Sequence, residues 1–229
     1  VMRSTQDLLV RRLGLGPHNR ITPVKYWGTP LGPSHQHVTY LPFPAQYSGR
    51  TGKESLHLPR VISVAKHGQR RKRIRWLIRA LEETSSPFNL EIVGSSPEPG
   101  DEDRIARHQK LRSRVSRMGT RSSLVRFHND LDEKELLDLY KECDLFVLPS
   151  KREMMSISPL EAMAAGLPVL IGSDGGAVSY VRPGGVEQIF RTNSFRSFQT
   201  SLNRLVSDSQ LRAQLQIANE AHIRQNHDP

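Results

Sequence analysis

The feature that most narrows the fold is an alternation that begins at Arg60. Six short apolar runs, Val61 to Ala65, Leu90 to Val93, Leu124 to Phe127, Leu145 to Leu148, Val169 to Ile171 and Gln188 to Phe190, are separated by stretches of helical period or turns. The helical stretches are Lys72 to Glu83, Asp101 to Met118, Asp132 to Glu142 and Pro159 to Ala165. Runs this rich in Val, Ile and Leu, each followed by a helix-length segment, predict parallel strands buried on both faces. The expected fold class is α/β, a doubly wound parallel sheet over residues 59–229. Two closing helices, about Phe195 to Val206 and Gln210 to Arg224, follow, with Asn193-Ser194 and Asp208-Ser209 as cap candidates.

Residues 1–58 do not share this pattern. One amphipathic helix is expected from Thr5 to Leu13, stopped by Gly14 and Gly16-Pro17. Beyond it Pro23, Pro30, Pro33, Pro42 and Pro44 crowd a segment with a single strand candidate, Val38 to Leu41. Phe43 to Leu58 reads as an interdomain linker, so 1–58 is expected to be the tail of an incomplete N-terminal domain plus that linker.

Charge is as uneven as structure. Val1 to Arg75 holds 14 Lys and Arg against two acids, Asp7 and Glu54, whereas the remainder holds 19 basic and 21 acidic residues. The excess fits a phosphate-bearing ligand, an anionic surface or a solvated basic face. Zinc spacing, Arg-Gly tracts and aromatic-interleaved ribonucleoprotein motifs are absent, so nucleic acid is not an expected partner. No apolar run approaches a membrane span, and the single Cys143 rules out an internal disulfide framework, which together predict a reducing, cytoplasmic setting with peripheral contact to an anionic membrane as an option.

Chemistry concentrates in loops that follow strands. Lys66-His67-Gly68-Gln69-Arg70-Arg71-Lys72-Arg73 places five cations between a strand end and a helix start, where the dipole already favours anions. Cations there weaken a helix, and a bound diphosphate would offset the repulsion. Neither a Walker pattern nor G-x-G-x-x-G follows this strand. After the fourth strand, Glu153 sits in the loop and Glu161 in the short helix, eight residues apart. Carboxylates accept hydrogen bonds from vicinal hydroxyls, which makes a sugar or ribose their natural partner. Gly94-Ser95-Ser96 permits a sharp strand exit. Ser173-Asp174-Gly175-Gly176 either lets backbone approach a ligand or makes a turn.

At these residues the chain resembles a known family. Glu153 to Val169, E-M-M-S-I-S-P-L-E-A-M-A-A-G-L-P-V, is similar to the E-x7-E signature of retaining GT-B glycosyltransferases of family 4, the glycosyl transferases group 1. Leu145 to Ser150, Val125 to Leu131, Leu90 to Gly94 and Gly175-Gly176 resemble further family segments, so that the likeness spans roughly Arg60 to Ile223. The resemblance implies a two-domain enzyme whose Rossmann-like C-terminal domain binds a nucleotide-diphospho-sugar, UDP- or GDP-linked, and whose N-terminal domain binds an acceptor. It implies transfer with retention of anomeric configuration, without a metal or any cofactor beyond the donor itself. Carried over by position, Glu161 would bind ribose hydroxyls, Glu153 the transferred sugar, and Lys66 and Lys72 the diphosphate. Met155, Ser156 and Ile157 would offer backbone amides, and Gly94, Asn129, Gly175 and Gly176 complete the substrate-binding set.

The chain departs from the family pattern at several of these positions. Lys66 stands where Arg is usual, Arg73 for a Gly, Met154 and Ser156 for the two Gly of E-G-F-G, Asn129 for a Gly and Ser179 for a Glu. Val1 to about Gln46 resembles only the last helix and strand of the N-terminal domain, and a donor domain by itself is not expected to transfer sugar. The second expectation is therefore a non-catalytic nucleotide-sugar-binding or interaction module built on the same fold.

Overall fold

A computed structural model describes residues 58–66, 68–153 and 156–227, together with the backbone of two short upstream strands. These strands, β1 (Arg20–Thr22) and β2 (Val38–Tyr40), pair in parallel. β2 falls on the expected strand, whereas β1 was not expected, because three residues are too few to show a period. The helix expected at Thr5 to Leu13 lies outside the described residues, as does the linker apart from Leu58.

The six apolar runs form one parallel sheet. Its strands are β3 (Arg60–Val64), β4 (Asn89–Gly94), β5 (Val125–Asn129), β6 (Leu145–Leu148), β7 (Val169–Gly172) and β8 (Ile189–Phe190). The spatial order is β5-β4-β3-β6-β7-β8. Growth proceeds from β3 outward in one direction, then returns to β3's other side with β6. That is the doubly wound, Rossmann-like order, and its topological switch point lies between β3 and β6. Each expected strand is present, with ends displaced by one residue or so.

Helices occupy the connections: α1 (Ile74–Glu83), α2 (Glu102–Ser116), α3 (Glu133–Glu142), α4 (Ser158–Ala164), α5 (Val178–Val181), α6 (Phe195–Ser207) and α7 (Ser209–Asn226). The starts of α2, α3, α6 and α7 follow side-chain capping. Asp101 accepts from Arg104 N ahead of α2, and Asp132 with Glu135 closes a reciprocal capping box ahead of α3. Ser194 and Asp208 cap α6 and α7 as expected. One start differs from expectation by more than a residue: α1 begins at Ile74 instead of Lys72. Arg70–Lys72 makes a 3-10 turn, and Arg73 takes a left-handed φ of 52° that separates turn from helix. α5 was not foreseen, since four residues cannot display helical periodicity.

Apolar faces of α1, α4, α6 and α7 cover the sheet, with Ile62, Leu77, Ile78, Phe146, Met163, Phe190 and Phe198 fully buried. α7 is also held by a buried polar network. Asn219 donates to Leu167 O at 3.0 Å and to Gln188 Oε1 at 2.9 Å, and Gln188 Oε1 accepts from Val169 N at 2.8 Å. Gly184 lies under this network, where a Cβ would stand 2.0 Å from Asn219 Oδ1, so no larger residue fits.

Candidate active site

Because all six strands are parallel, the loops after them gather at one edge of the sheet. The loop after β3 and the loop after β6 meet at the switch point, where backbone bends are enforced. Arg73 (φ 52°) and Arg152 (φ 53°) both adopt left-handed conformations without being glycine. Lys151 N donates to Arg71 O at 2.8 Å, joining the two loops through their backbones. Gly176 N donates to Glu153 O at 2.9 Å and attaches the loop after β7.

Glu153 is the centre of this edge. Its Oε2 accepts from Lys72 Nζ and from Arg71 Nη1, each at 2.6 Å. The Lys72 and Glu153 side chains are both 11% exposed, whereas Arg71 is 49% exposed. Burial by itself would raise the Glu153 pKa, but hydrogen bonds and charge from Arg71 and Lys72 outweigh it and hold the carboxyl below its ordinary value. Glu153 is therefore ionised near neutrality, and Lys72 already carries an anionic partner.

Around this triad sits a supporting set. Asp174 accepts from Arg152 N at 3.2 Å and from Thr192 Oγ1 at 2.9 Å, while Arg73 donates to Thr192 O. The Arg73 guanidinium also lies 4.3 Å from the Trp76 ring centroid. Ser156 Oγ and Ser158 Oγ are 3.0 Å apart, and Tyr180 donates its hydroxyl to Ser156 O. These contacts fix the exit of the β6 loop into α4.

Glu161 lies in the first turn of α4. It is exposed as a residue, yet partial desolvation of its carboxyl and the neighbouring Glu133 raise its pKa, with buried Tyr140 acting in the opposite sense. Glu153 and Glu161 are thus shifted in opposite directions by their surroundings.

The structure distributes the sequence-predicted residues unevenly. It brings Lys72 and Glu153, expected to hold neighbouring parts of one donor, into direct contact. Lys66 is exposed at the end of β3 and lines a cleft with Gln69, Arg70 and Arg71. Gly94 and Asn129 are paired neighbours at the ends of β4 and β5. Ile157 precedes α4 and is 48% exposed, whereas Met155 lies outside the described residues. Gly175 and Gly176 form the turn that was one of two expectations, and the Gly176 N–H is engaged by Glu153 O. Two contributors were not singled out, Arg71 as a Glu153 partner and Thr192, and Asp174 was named only as part of the Ser173 to Gly176 segment. Arg71 was one of five cations in its loop, with nothing to separate it from its neighbours.

Among the described residues no group of His, Cys, Asp and Glu has the arrangement of a metal site, and no helix is long and apolar enough to cross a membrane.

The glycosyl transferases group 1 profile matches residues 53–222, most of the chain. The chain belongs to that family. It is 32% identical over 108 residues to mannosylfructose-phosphate synthase of Agrobacterium fabrum, a match covering 46% of this chain and 23% of that protein. In solved structures it is similar to a lipopolysaccharide outer core galactosyltransferase, with TM-score 0.72, 17% identity and coverage of 92% of this chain and 58% of that one. A trehalose-6-phosphate protein from E. coli bound with UDP-2-fluoro glucose gives TM-score 0.62 at 15% identity, covering 74% of this chain and 41% of that one. At these identities the likenesses to solved structures show the fold. The chain spans about a quarter of the curated relative and about half of these structures.

Proposed function

We propose that this chain is the donor-binding half of a retaining glycosyltransferase, and that the switch-point edge holds a nucleotide-diphospho-sugar. The observation that carries the reading is the meeting of Arg71 and Lys72 with Glu153 at 2.6 Å, in the crevice where a doubly wound sheet receives ligands. The bound UDP-2-fluoro glucose of the similar E. coli protein supports a uridine donor, with a guanosine donor as the other candidate.

The residues support a division of labour. Glu161, at α4, accepts hydrogen bonds from ribose hydroxyls. The donor diphosphate takes over Lys72 and Arg71, with Lys66 reaching it from the end of β3. Glu153, released from its cations, turns to the hydroxyls of the sugar. In the transition state negative charge grows on the departing nucleotide diphosphate, and fixed cations in a partly desolvated crevice stabilise that charge directly. Departure on the face where the acceptor arrives would retain the anomeric configuration. The chemistry asked of these side chains is electrostatic, with no covalent intermediate on Glu153 required.

Calorimetric titration with UDP, GDP and ADP tests the reading. One nucleotide is expected to bind, and Glu161→Ala is expected to weaken it by about 1–3 kcal/mol, the usual cost of removing charge-assisted hydrogen bonds. Absence of binding by all three would sink the proposal. A second reading, a non-catalytic nucleotide-sugar-binding module, is favoured by one observation: Ser179 occupies the position matching the family's Glu and donates its hydroxyl to Gly176 O at 2.9 Å. Donor turnover by the chain joined to an acceptor-binding domain separates the two.

A further inference from the structure

Outside the switch-point edge, a second cluster of cations stands out. α1 and α2 flank a cleft of about 760 Å3 that opens beside the loop after β3. Arg107, Lys110 and Arg114 on α2 and Arg117 at its C-cap recur at intervals of three, four and three, so helical geometry places them on one stripe, and all four line the cleft. Arg70 and Arg75 line it from the opposite wall, on either side of the α1 start.

Two of these cations are structural. Arg114 pairs with Glu82 and ties α2 to α1, and Arg107 donates to Gly68 O at 2.6 Å while pairing with Asp103 at 3.2 Å. The other four, Arg70, Arg75, Lys110 and Arg117, are exposed and have no ion pair among the described residues. A merely solvated helix face interleaves both signs, as α3 does with Lys134 and Asp138 at 3.0 Å. In this cleft Glu82 is the lone carboxylate, and Arg114 already neutralises it. A concave, single-sign wall focuses potential towards an anion. Gln69 adds a neutral polar side chain to the lining.

The neighbouring cleft, about 660 Å3, shares Gln69, Arg70 and Arg107 but includes Glu98, Asp101 and Asp103. Its mixed charge makes it the poorer anion site.

We infer that the cleft between α1 and α2 is a second anion site, separate from the donor crevice, that takes a polyol bearing two or more phosphate groups. The inference stands on the cleft's own residues and does not depend on the chain being a glycosyltransferase. A ligand of this kind matches the wall in three respects: volume within the range of small-molecule sites, several charges spaced along a helix stripe, and hydroxyls for Gln69. Such a group could be a soluble polyol phosphate or the headgroup of a phosphorylated inositol lipid.

The test titrates the whole chain with myo-inositol hexakisphosphate in a calorimeter, and sediments it with phosphatidylcholine vesicles with and without phosphatidylinositol 4-phosphate. Wild-type protein is expected to bind, and Lys110→Glu/Arg117→Glu to bind at least about tenfold more weakly, because two unpaired cations become repulsive anions. Both positions are exposed and unpaired, so the variant should unfold at the wild-type urea midpoint. Charge reversal at the exposed Arg196 and Arg204, on α6, is expected to leave affinity within about twofold, and Glu161→Ala to leave it unchanged. Binding to the soluble probe alone assigns a free ligand, and sedimentation lost in the α2 variant assigns the lipid headgroup. The inference is overturned if neither probe binds, if the α6 and α2 reversals weaken binding equally, or if single-stranded RNA binds where the phosphate probes do not.

Discussion

Two carboxylates in this domain are surrounded by cations, and they behave as different kinds of object. Glu91, in the middle of β4, is 1% exposed and touches Arg60 at 3.0 Å, His128 at 2.7 Å and Arg126 at 3.5 Å. Glu153 touches Arg71 and Lys72. In both, burial that would raise the pKa is outweighed by hydrogen-bonded cationic partners, and the carboxyl is held low. The difference lies in what carries the partners. Those of Glu91 sit on β3 and β5 at positions set by the ladder, with Arg126 directly opposite it in register. Those of Glu153 sit in a 3-10 turn bounded by a left-handed residue, and Glu153 itself follows another. A cluster locked by strand register fastens the sheet, whereas one assembled from loops can exchange partners. Charge pairing is alike in the two clusters; the elements that carry the partners are what differ.

The largest effect expected from breaking this contrast is on the strand cluster. Glu91→Ala leaves Arg60 and His128 without their shared acceptor and should cost about 2–3 kcal/mol in urea unfolding, less than for a fully enclosed pair because both side chains reach water. Glu153→Ala should cost about 1–2 kcal/mol: it strands Lys72, which is as enclosed as Glu153, but Arg71 is half in water and the loop can relax around the vacated carboxylate. If the loop variant proves the costlier, the distinction fails. The smallest effect is in the pH dependence. Both carboxyls have depressed native pKa values, so their stabilisation is fully present above the ordinary carboxylate range and is lost as pH falls through the native values. Unfolding midpoints followed from about pH 7 to about pH 3 should fall less steeply in Glu91→Ala than in wild type. Glu161 has the opposite sign: its raised pKa means that nucleotide binding through its carboxylate should strengthen as pH rises through that value.

The fold was legible because parallel strands buried on both faces must be continuous apolar runs, and six such runs could be counted directly from residue 60 onward. Glu91 shows the limit of that reading. It sits inside Leu90 to Val93, and a run judged by its flanking residues conceals a carboxylate whose cations come from two other strands. At the candidate site, Glu153 and Glu161 stood out by spacing. Lys72 could be placed near a phosphate by its loop, but its contact with Glu153 depends on β3 and β6 being spatial neighbours, a fact of sheet order that local sequence does not encode. Thr192 gave no signal for the same reason, and Asp174 stood out only as part of the Ser173 to Gly176 segment: their pairing joins the ends of β7 and β8.

The Lys72–Glu153 contact also bears on how binding at the crevice should respond to solution conditions. An anion arriving at Lys72 makes one ion pair at the expense of another, so the process is an exchange, and salt screens the broken pair as well as the new one. Nucleotide affinity there should vary shallowly with ionic strength. At the unpaired cations of the cleft between α1 and α2 no such cancellation operates, and added salt should weaken the phosphate probe steeply.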